Sequence, residues 1–381
     1  ISVTGAVGAT GALGTLTVTN SNGATFASSV SAGTVAITDT NNGKTVAFQN
    51  DLTVGTALTV SGSATDTYNV SITGSSNSIA GTTTFNNAGT VTIGDSTGDS
   101  TSFIGAVTGT APSQVNLAGN ISTINSAISL GDGNTPVSLN QNTTLSTGNG
   151  TITLGGTVNG ANSLAINTTG NTNLNGAIGA NTPLTSLTTN SGGTTNINGG
   201  SVKTSGFQSY GDNVSLGADT TLTSTGSGNI SFNGTVNGAK ALTVNTSGTS
   251  TFGGIVGGGT ALTSLTTNSG GTTAINGGAV TTTGNQSYGD NVTLGADASL
   301  TATGTGNIAF GGSIENSGGT RNLTLSTAGT GAGNGEISVT GAVGATGALG
   351  TLTVTNSNGA TFASSVSANT VTISDTNDGK T

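Results

Sequence analysis

Short segments built on one template recur along the chain and limit what it can fold into: LTVTNSNGATFASSV (16–30), LAINTTGNTNLNGAI (164–178) and LTVNTSGTSTFGGIV (242–256). Each has a short run in which apolar residues alternate with polar ones, then a turn of Gly, Asn and Ser, then a second run. The first apolar residues of the two runs lie ten positions apart, as with Leu242 and Phe252. Alternation at period two predicts a strand with one buried face. No window of the sequence favours a helix, so we expect an all-β protein.

Two longer periods enclose these segments. Residues 337–381 repeat residues 1–45 after 336 positions, and the copies differ at four places: Gly33/Asn369, Ala36/Thr372, Thr38/Ser374 and Asn42/Asp378. Residues 206–222 return at 284–300, a shift of 78 positions. We therefore expect residues 1–336 to form one repeat unit, with related blocks of about 78 residues within roughly 101–336. Residues 337–381 would begin the next, near-identical unit.

Composition separates two folds that are built from short strands. The chain has 67 Gly and only nine Phe and three Tyr, with no Trp, Met, Cys or His, which leaves too few large side chains for the cores of several β-sandwich domains. A chain that grows by adding coils would show nested periods of this kind. We therefore predict a parallel β-helix, or β-solenoid, with coils of about 20 residues stacked at about 4.8 Å. In that fold, 336 residues make roughly 17 coils.

The repeats resemble those of a known group of secreted proteins. LTVNTSGTSTFGGIV, its sister segments and QSYGDNVSLGADTTLTSTGSGNISFNGTV are similar to the repeats of filamentous-haemagglutinin-like adhesins and autotransporter passengers. The resemblance covers most of the chain. It implies a right-handed β-helix, export across an outer membrane, and an extracellular location on a bacterial cell surface or in a secreted matrix. Handedness and export come from this resemblance alone.

The charge pattern excludes several partners. Fourteen acidic residues face five Lys and Arg, which gives a formal net charge of −9 without a run of either sign. Nucleic-acid binding needs clustered basic residues, so we expect no nucleic-acid partner. No apolar stretch approaches the roughly 20 residues of a membrane span, and nothing indicates a cofactor. The remaining partners are copies of the chain itself, associating laterally or end to end, and cell-surface or matrix polysaccharide.

Two duplicated pairs of carboxylates are the strongest candidates for catalysis. Asp212 with Asp219 and their copies Asp290 with Asp297 could serve as the two carboxylates of glycoside hydrolysis. An active site is normally built once, however, and these pairs lie in a duplicated turn. Ser and Thr nucleophiles have no His to activate them. We expect no catalytic residues and no enzymatic activity, with a carbohydrate-processing β-helix enzyme as the alternative.

Metal and ice binding have weaker signals. DTNDG (375–379), DTNNG (39–43) and GDSTGDS (94–100) resemble parts of calcium loops but lack the full ligand spacing. We interpret them as polar turns and predict no metal ligands. Thr-rich runs such as LTVT and LTST could present hydroxyls to ice, but they do not recur at a constant spacing. An ice-binding solenoid is therefore kept only as an alternative function.

Alternation also assigns individual residues to the inside or the outside. We expect seven residues to point inward: Val18, Phe26, Val30, Leu242, Val244, Phe252 and Val256. Asp39, Lys44 and Lys203 should lie on turns or outer faces. Tyr210 and Tyr288 occupy equivalent places in QSYGDN. We expect each to anchor the corner of a coil, with sugar stacking or a subunit contact as the alternative.

These observations together predict a non-enzymatic structural or adhesive extracellular rod, which forms part of a long tandem-repeat surface protein. Its work would be to span distance and to associate with copies of itself into a filament, sheath or layer.

The near-identity of residues 1–45 and 337–381 predicts that the chain is a window on an array of 336-residue units. Residue 1 is Ile and the chain has no Met, which also suggests a segment of something longer. Mass spectrometry of the intact source protein should give a mass well above 36.0 kDa. A mature polypeptide of about that mass would contradict the array.

Overall fold

A computed structural model describes residues 1–38, 40–329 and 333–374, and every regular element in these ranges is a β-strand. Parallel strands stack as a β-solenoid of about 17 turns with roughly 22 residues per turn. The predicted all-β parallel solenoid is confirmed. The coil is slightly longer than the predicted 20 residues, because the loops that join the strands take up extra residues. The chain divides into two compact units, residues 1–199 and 200–381.

The first unit contains 21 strands, and their bounds are as follows: β1 (Ser2–Val3), β2 (Leu13–Val18), β3 (Ala24–Phe26), β4 (Val30–Ile37), β5 (Thr45–Phe48), β6 (Leu52–Val60), β7 (Asn69–Ile72), β8 (Ser76–Ile79), β9 (Thr83–Thr84), β10 (Thr90–Ile93), β11 (Ser100–Phe103), β12 (Val107–Gly109), β13 (Gln114–Thr123), β14 (Ile128–Leu130), β15 (Val137–Ser146), β16 (Ile152–Leu154), β17 (Val158–Asn159), β18 (Ser163–Asn167), β19 (Asn171–Leu174), β20 (Ser186–Thr189) and β21 (Thr194–Ile197).

The second unit contains the other 21 strands of the described residues: β22 (Ser201–Thr204), β23 (Gln208–Tyr210), β24 (Asn213–Leu216), β25 (Thr220–Ser224), β26 (Ile230–Phe232), β27 (Val236–Asn237), β28 (Ala241–Asn245), β29 (Thr249–Phe252), β30 (Ser264–Thr267), β31 (Thr272–Ile275), β32 (Ala279–Thr282), β33 (Gln286–Tyr288), β34 (Asn291–Leu294), β35 (Ala298–Ala302), β36 (Ile308–Phe310), β37 (Ile314–Asn316), β38 (Leu323–Thr327), β39 (Ile337–Val339), β40 (Leu349–Thr355), β41 (Ala360–Phe362) and β42 (Ala368–Ser374).

Each turn of the solenoid contributes to three ladders of parallel strands, here called A, B and C. In the second unit, ladder A runs through β22, β25, β28, β30, β33, β36, β39 and β41. Ladder B runs through β23, β26, β29, β31, β34 and β37. Ladder C runs through β24 and β27, continues through isolated bridges of Val256, and ends in β32, β35, β38, β40 and β42.

The first unit has the same three ladders, and its long strands serve two of them. Strand β4 pairs with β6 on both sides of a register shift between Ala32 and Thr34, and β13 pairs with β15 across a shift between Leu117 and Gly119. The first half of β4 lies in ladder B, beside Val7, and its second half lies in ladder C, beside β2. An irregularity at the middle of a strand lets the backbone turn a corner there.

The interior contains one face of every strand. All seven residues predicted to point inward are buried, with at most 3% of their surface exposed, as alternation requires. Lys44 is exposed in a turn, and Lys203 lies on the outer face of β22. Asp39 falls outside the described residues. The predicted burial pattern is therefore confirmed wherever the structure describes it.

Aromatic rings stack along the interior from one coil to the next. The centroids of Tyr210 and Phe232 are 5.3 Å apart, and Phe252 lies 5.4 Å beyond Phe232 with its ring tilted by only 5°. Tyr288 and Phe310 repeat the arrangement at 4.9 Å. Because parallel in-register pairing brings equivalent side chains together, a few aromatic residues fill successive layers of a narrow core.

Tight turns between strands depend on glycine where the backbone of the previous coil passes close by. Gly160 has a φ of 138° and its counterpart Gly238 has a φ of 131°. A Cβ at Gly160 would lie 2.3 Å from the carbonyl oxygen of Leu139, and one at Gly238 would lie 2.5 Å from that of Leu216. No L-amino acid fits without moving the backbone of the neighbouring coil.

Replacing Phe252 with Ala should destabilise this part of the solenoid by about 3–5 kcal/mol, because it leaves a cavity in the aromatic stack. Thr251→Ala is the matched control, since this neighbouring side chain lies on the outer face of β29. Denaturant unfolding should show the loss for Phe252→Ala, and hydrogen exchange should locate it to the coils on either side. Equal effects of the two substitutions would contradict the assignment of inner and outer faces.

Candidate functional site

The outer faces of the strands are the most regular chemical feature that the structure shows. Alternation leaves every second strand residue pointing outward, and these positions are mostly Ser, Thr, Asn and Ala. Among the strands of the described residues, only two charged side chains occur, Lys203 in β22 and Glu315 in β37. The other charged groups of the described residues lie in the turns. The strand faces are therefore nearly uncharged surfaces of hydroxyl and amide groups.

Parallel register aligns these outward side chains into columns. In ladder C of the second unit, one column is Thr281, Thr301, Ser326, Thr355 and Ser374. Beside it runs a second column: Ala279, Ser299, Thr324, Thr353 and Thr372. Consecutive members of the first column are 20, 25, 29 and 19 residues apart in the sequence, yet each faces the next. The sequence-based argument that unequal spacing prevents such an array is wrong, because the extra residues lie in the turns.

Similar columns occur in the other ladders. The outer column of ladder A in the second unit contains Ser201, Thr221, Thr243, Thr266, Ser287, Ala309, Ser338 and Thr361. Ladder B of the first unit contains Ser76, Ser100, Asn120, Thr144, Ala165 and Thr188. Some column members are hydrogen-bonded to each other, as when Nδ2 of Asn196 donates to Oδ1 of Asn173 over 2.8 Å.

The carboxylates singled out from the sequence lie in two different environments. Asp219 and Asp297 are exposed, whereas Asp212 and Asp290 are buried with 1% of their surface accessible. A four-residue strand separates the members of each pair and is itself about 13 Å long. The structure therefore does not bring the two carboxylates of either pair together across one substrate-sized gap.

Both exposed carboxylates join one coil to the next. Oδ1 of Asp219 accepts a hydrogen bond from the backbone N–H of Ala241 over 2.9 Å. Oδ1 of Asp297 accepts one from the N–H of Asn322 over the same distance, and its Oδ2 accepts one from Nδ2 of Asn322. The backbone hydrogen bond from Asn322 is the main cause that lowers the pKa of Asp297 below 3.8. These two acids hold turns in place.

Asp290 is a buried carboxylate with polar contacts to the previous coil. It accepts hydrogen bonds from the backbone N–H of Gly271 over 2.7 Å and from Oγ1 of Thr273 over 3.2 Å. Burial nevertheless raises its pKa above the ordinary value of 3.8, because removal from water penalises the charged form more than these bonds favour it.

The turn at 94–100 binds its own backbone. Oδ2 of Asp99 accepts hydrogen bonds from the N–H groups of Asp95 and Ser96 over 2.8 and 2.9 Å. Burial, followed by the hydrogen bond and the charge of Asp99, raises the pKa of Asp95. In the described part of the chain, no three acidic residues are grouped so that they could hold a metal. The segment DTNDG (375–379) lies outside the described residues.

Tyr210 and Tyr288 lie in the interior rather than at the corners that the sequence suggested. Both rings are at least 99% buried, so they are not available for sugar stacking. Each hydroxyl donates to Oε1 of the Gln two residues earlier, Gln208 or Gln286, over 2.9 Å. Nε2 of Gln286 in turn donates to the carbonyl oxygen of Thr301 on the next coil over 2.9 Å. Burial raises the pKa of both phenols. Sequence analysis missed the Gln, although its place in the duplicated QSY was a signal.

The two open edges of the ladders carry the largest exposed apolar side chains of the terminal coils. On the last described coil these are Val366, Val371 and Ile373, with 38%, 52% and 62% of their surfaces exposed. On the first coil they are Ile1, 68% exposed, and Leu13, 40% exposed. Sequence analysis gave no reason to distinguish these residues from the buried members of the same pattern.

Comparison with protein-family models, with curated proteins and with solved structures finds no match to this chain. The β-solenoid is therefore established by the strand ladders, and the likeness to secreted adhesins stays a resemblance of repeats. A bilayer-crossing helix is not found in the part of the chain that the structure describes.

Asp290→Asn should become more stable than the parent protein as the pH rises. Because the native state raises the pKa of Asp290 above 3.8, stability is lost as the pH rises through the native pKa, and Asn removes this loss. Asn can still accept from Gly271. Thermal unfolding of both proteins from pH 3 to pH 7 measures the difference.

Asp297→Asn is the matched control and should show the opposite sign. The lowered pKa of Asp297 stabilises the parent protein above pH 3.8, so this variant should lose stability relative to the parent as the pH rises. Changes of the same sign in both variants would contradict the two environments described above.

Proposed function

We propose that the chain is a non-enzymatic structural or adhesive solenoid segment, part of an extracellular tandem-repeat protein that associates laterally with copies of itself. The observation that carries this proposal is the set of hydroxyl and amide columns on nearly uncharged strand faces. A surface of this kind recurs on each coil, so a longer protein gains contact area simply by adding coils.

Electrostatics and hydrogen bonding support lateral contact. Formal charge is −9 over 381 residues, but the strand faces carry only Lys203 and Glu315 among the described strands. Two copies can therefore bring strand faces together without placing like charges against each other. Ser, Thr and Asn side chains both donate and accept hydrogen bonds, so the same column can pair with itself.

Location and adhesive role rest on the resemblance to filamentous-haemagglutinin-like adhesins and autotransporter passengers. A bacterial cell surface or secreted matrix would present polysaccharide to the same faces, since sugar hydroxyls pair with hydroxyl and amide groups. The chain lacks Cys, and its coils are joined by backbone ladders rather than by disulfides. Such a segment needs no redox-dependent step to fold in an oxidising compartment.

Ice binding is a second candidate, and the paired columns of ladder C favour it. Two adjacent columns of hydroxyl-bearing side chains, with Ala279 as the one exception, present hydroxyls at a regular period. Such a face can order water. Measurement of thermal hysteresis and of ice-crystal shape tests it directly, and a freezing point that follows solute concentration alone would exclude it.

Glycoside hydrolysis has less support than either. The two carboxylates of each candidate pair lie on opposite ends of a strand, and the exposed members already bond the next coil. Incubation of the protein with surface polysaccharides, followed by sizing of the products, would detect such activity.

The lateral contact predicts bundles or sheets in electron micrographs of the protein, and these should persist at 1 M salt because the contact is uncharged. The double variant Thr301→Lys, Thr355→Lys places two charges in one outer column of ladder C. It should disperse the assemblies at low salt and regain them at high salt, where the Debye length falls to about 3 Å.

Thr97→Lys is the control, because this residue is exposed in a turn rather than on a strand face. It should leave the assemblies unchanged. Dispersed particles of the parent protein at every concentration would overturn lateral association. Loss of assembly in Thr97→Lys as well would show that net charge, rather than the strand face, decides it.

A further inference from the structure

The same sequence occurs in the structure once covered and once open. Residues 24–37 and their copies at 360–373 differ only at Gly33/Asn369 and Ala36/Thr372. In the first copy, Val35 and Ile37 are fully buried, because Leu58 and Val60 of β6 pair with them. In the second copy, the equivalent Val371 and Ile373 are 52% and 62% exposed. The edge formed by β41 and β42 is thus able to accept a further parallel coil.

The first coil has the complementary difference. Ile1 is 68% exposed, and Leu13 is 40% exposed, whereas their copies Ile337 and Leu349 are at most 1% exposed. The copies are buried because strands β36 and β38 pair with β39 and β40 on that side. The edge formed by β1 and β2 is therefore a surface that the same sequence buries elsewhere in the chain.

The strands that cover the copy resemble the open edge of the last coil. Strand β36 reads IAF and pairs Phe310 with Val339, while β41 reads ATF and ends in Phe362. Residues 323–325 of β38 read LTL and pair Leu325 with Val354, while residues 371–373 of β42 read VTI. The last coil thus offers the pattern that already covers this edge within the molecule.

We propose that the β41–β42 edge of one molecule binds the β1–β2 edge of a second copy as a continuing parallel coil. In this register Phe362 would lie opposite Val3 of the second copy. Val371 would lie opposite its Leu16, and Ile373 opposite its Val18. The three side-chain pairings already occur inside the molecule, as Val339 with Phe362, Leu352 with Val371 and Val354 with Ile373.

Charge does not oppose this contact. Residues 1–18 and 360–374 contain no ionisable side chain. The terminal ammonium of Ile1 donates to the carbonyl oxygen of Gly23 over 2.8 Å, on the coil that follows, and so is bonded away from the open edge. Open strand edges also expose unpaired N–H and C=O groups, which a second parallel strand would satisfy.

The contact is heterologous, because it joins two different surfaces, and its repetition adds copies head to tail. It deepens the proposed function by naming an end-to-end partner, and it rests on the proposed self-association. Lateral contacts use strand faces and end contacts use strand edges, so variants at one need not affect the other.

Two variants test the end contact in the 381-residue chain. Ile373→Asp places a carboxylate in the β41–β42 edge, and Leu13→Asp places one in the β1–β2 edge. Each substitution should weaken association at least on the order of 100-fold, because the contact would bury an unpaired charge. Thr372→Asp is the control, since the equivalent Ala36 points outward, and it should associate like the parent protein. Circular dichroism verifies that all three variants fold.

Mixing the two edge variants gives the decisive result. Each has one intact edge, so the mixture should form dimers that cannot extend, twice the 36.0 kDa of a single chain. Sedimentation velocity of each variant alone should show monomers. A parent protein that stays monomeric, or a mixture without dimers, would overturn the proposal. Bundles that survive in Ile373→Asp while end-to-end chains disappear would support both contacts separately. End-to-end chains without bundles would leave the end contact and overturn lateral association.

Discussion

Pairing of each coil with the next in parallel register is the interaction on which the rest of this protein depends. Register decides that Phe232 lies over Phe252 and that Thr301 lies beside Ser326. A slip of one residue would exchange the inner and outer faces of a strand and expose its apolar side chains. The core and the outer columns are therefore two results of the same ladder.

Side-chain amides and carboxylates protect that register at the turns, where the backbone ladder is interrupted. Asn213 accepts from the N–H of Thr235 over 2.9 Å, and its copy Asn291 accepts from the N–H of Ser313 over the same distance. A short side chain with an oxygen at its end can reach the backbone of the next coil, which explains the abundance of Asn and the duplicated Asp in turns. Acids that suggest catalysis in the sequence are here part of the scaffold.

Sequence patterns predicted the fold well because alternation at period two is a local property of each segment. Val18, Phe26 and Val256 could be assigned to the core from their neighbours alone. The pattern could not predict the exact coil length or the three ladders, since loops of unequal length hide them. Nor could it separate Asp290 from Asp297, because burial depends on which coil lies above. Tyr210 was misplaced for the same reason, since the stacked ring of Phe232 comes from the following coil.

Repetition of one unit has a different consequence for an assembling protein than for an enzyme. An active site needs a few side chains arranged once, and copying it adds nothing to its geometry. A ladder edge, by contrast, is remade by every copy, and the open edge at Val371 has the side chains that are buried at Val35. Any two neighbouring coils of this chain already demonstrate a contact that two molecules could make. Sequence duplication therefore supplies matching surfaces, and the chemistry of the strand faces needs only to stay uncharged for those surfaces to meet.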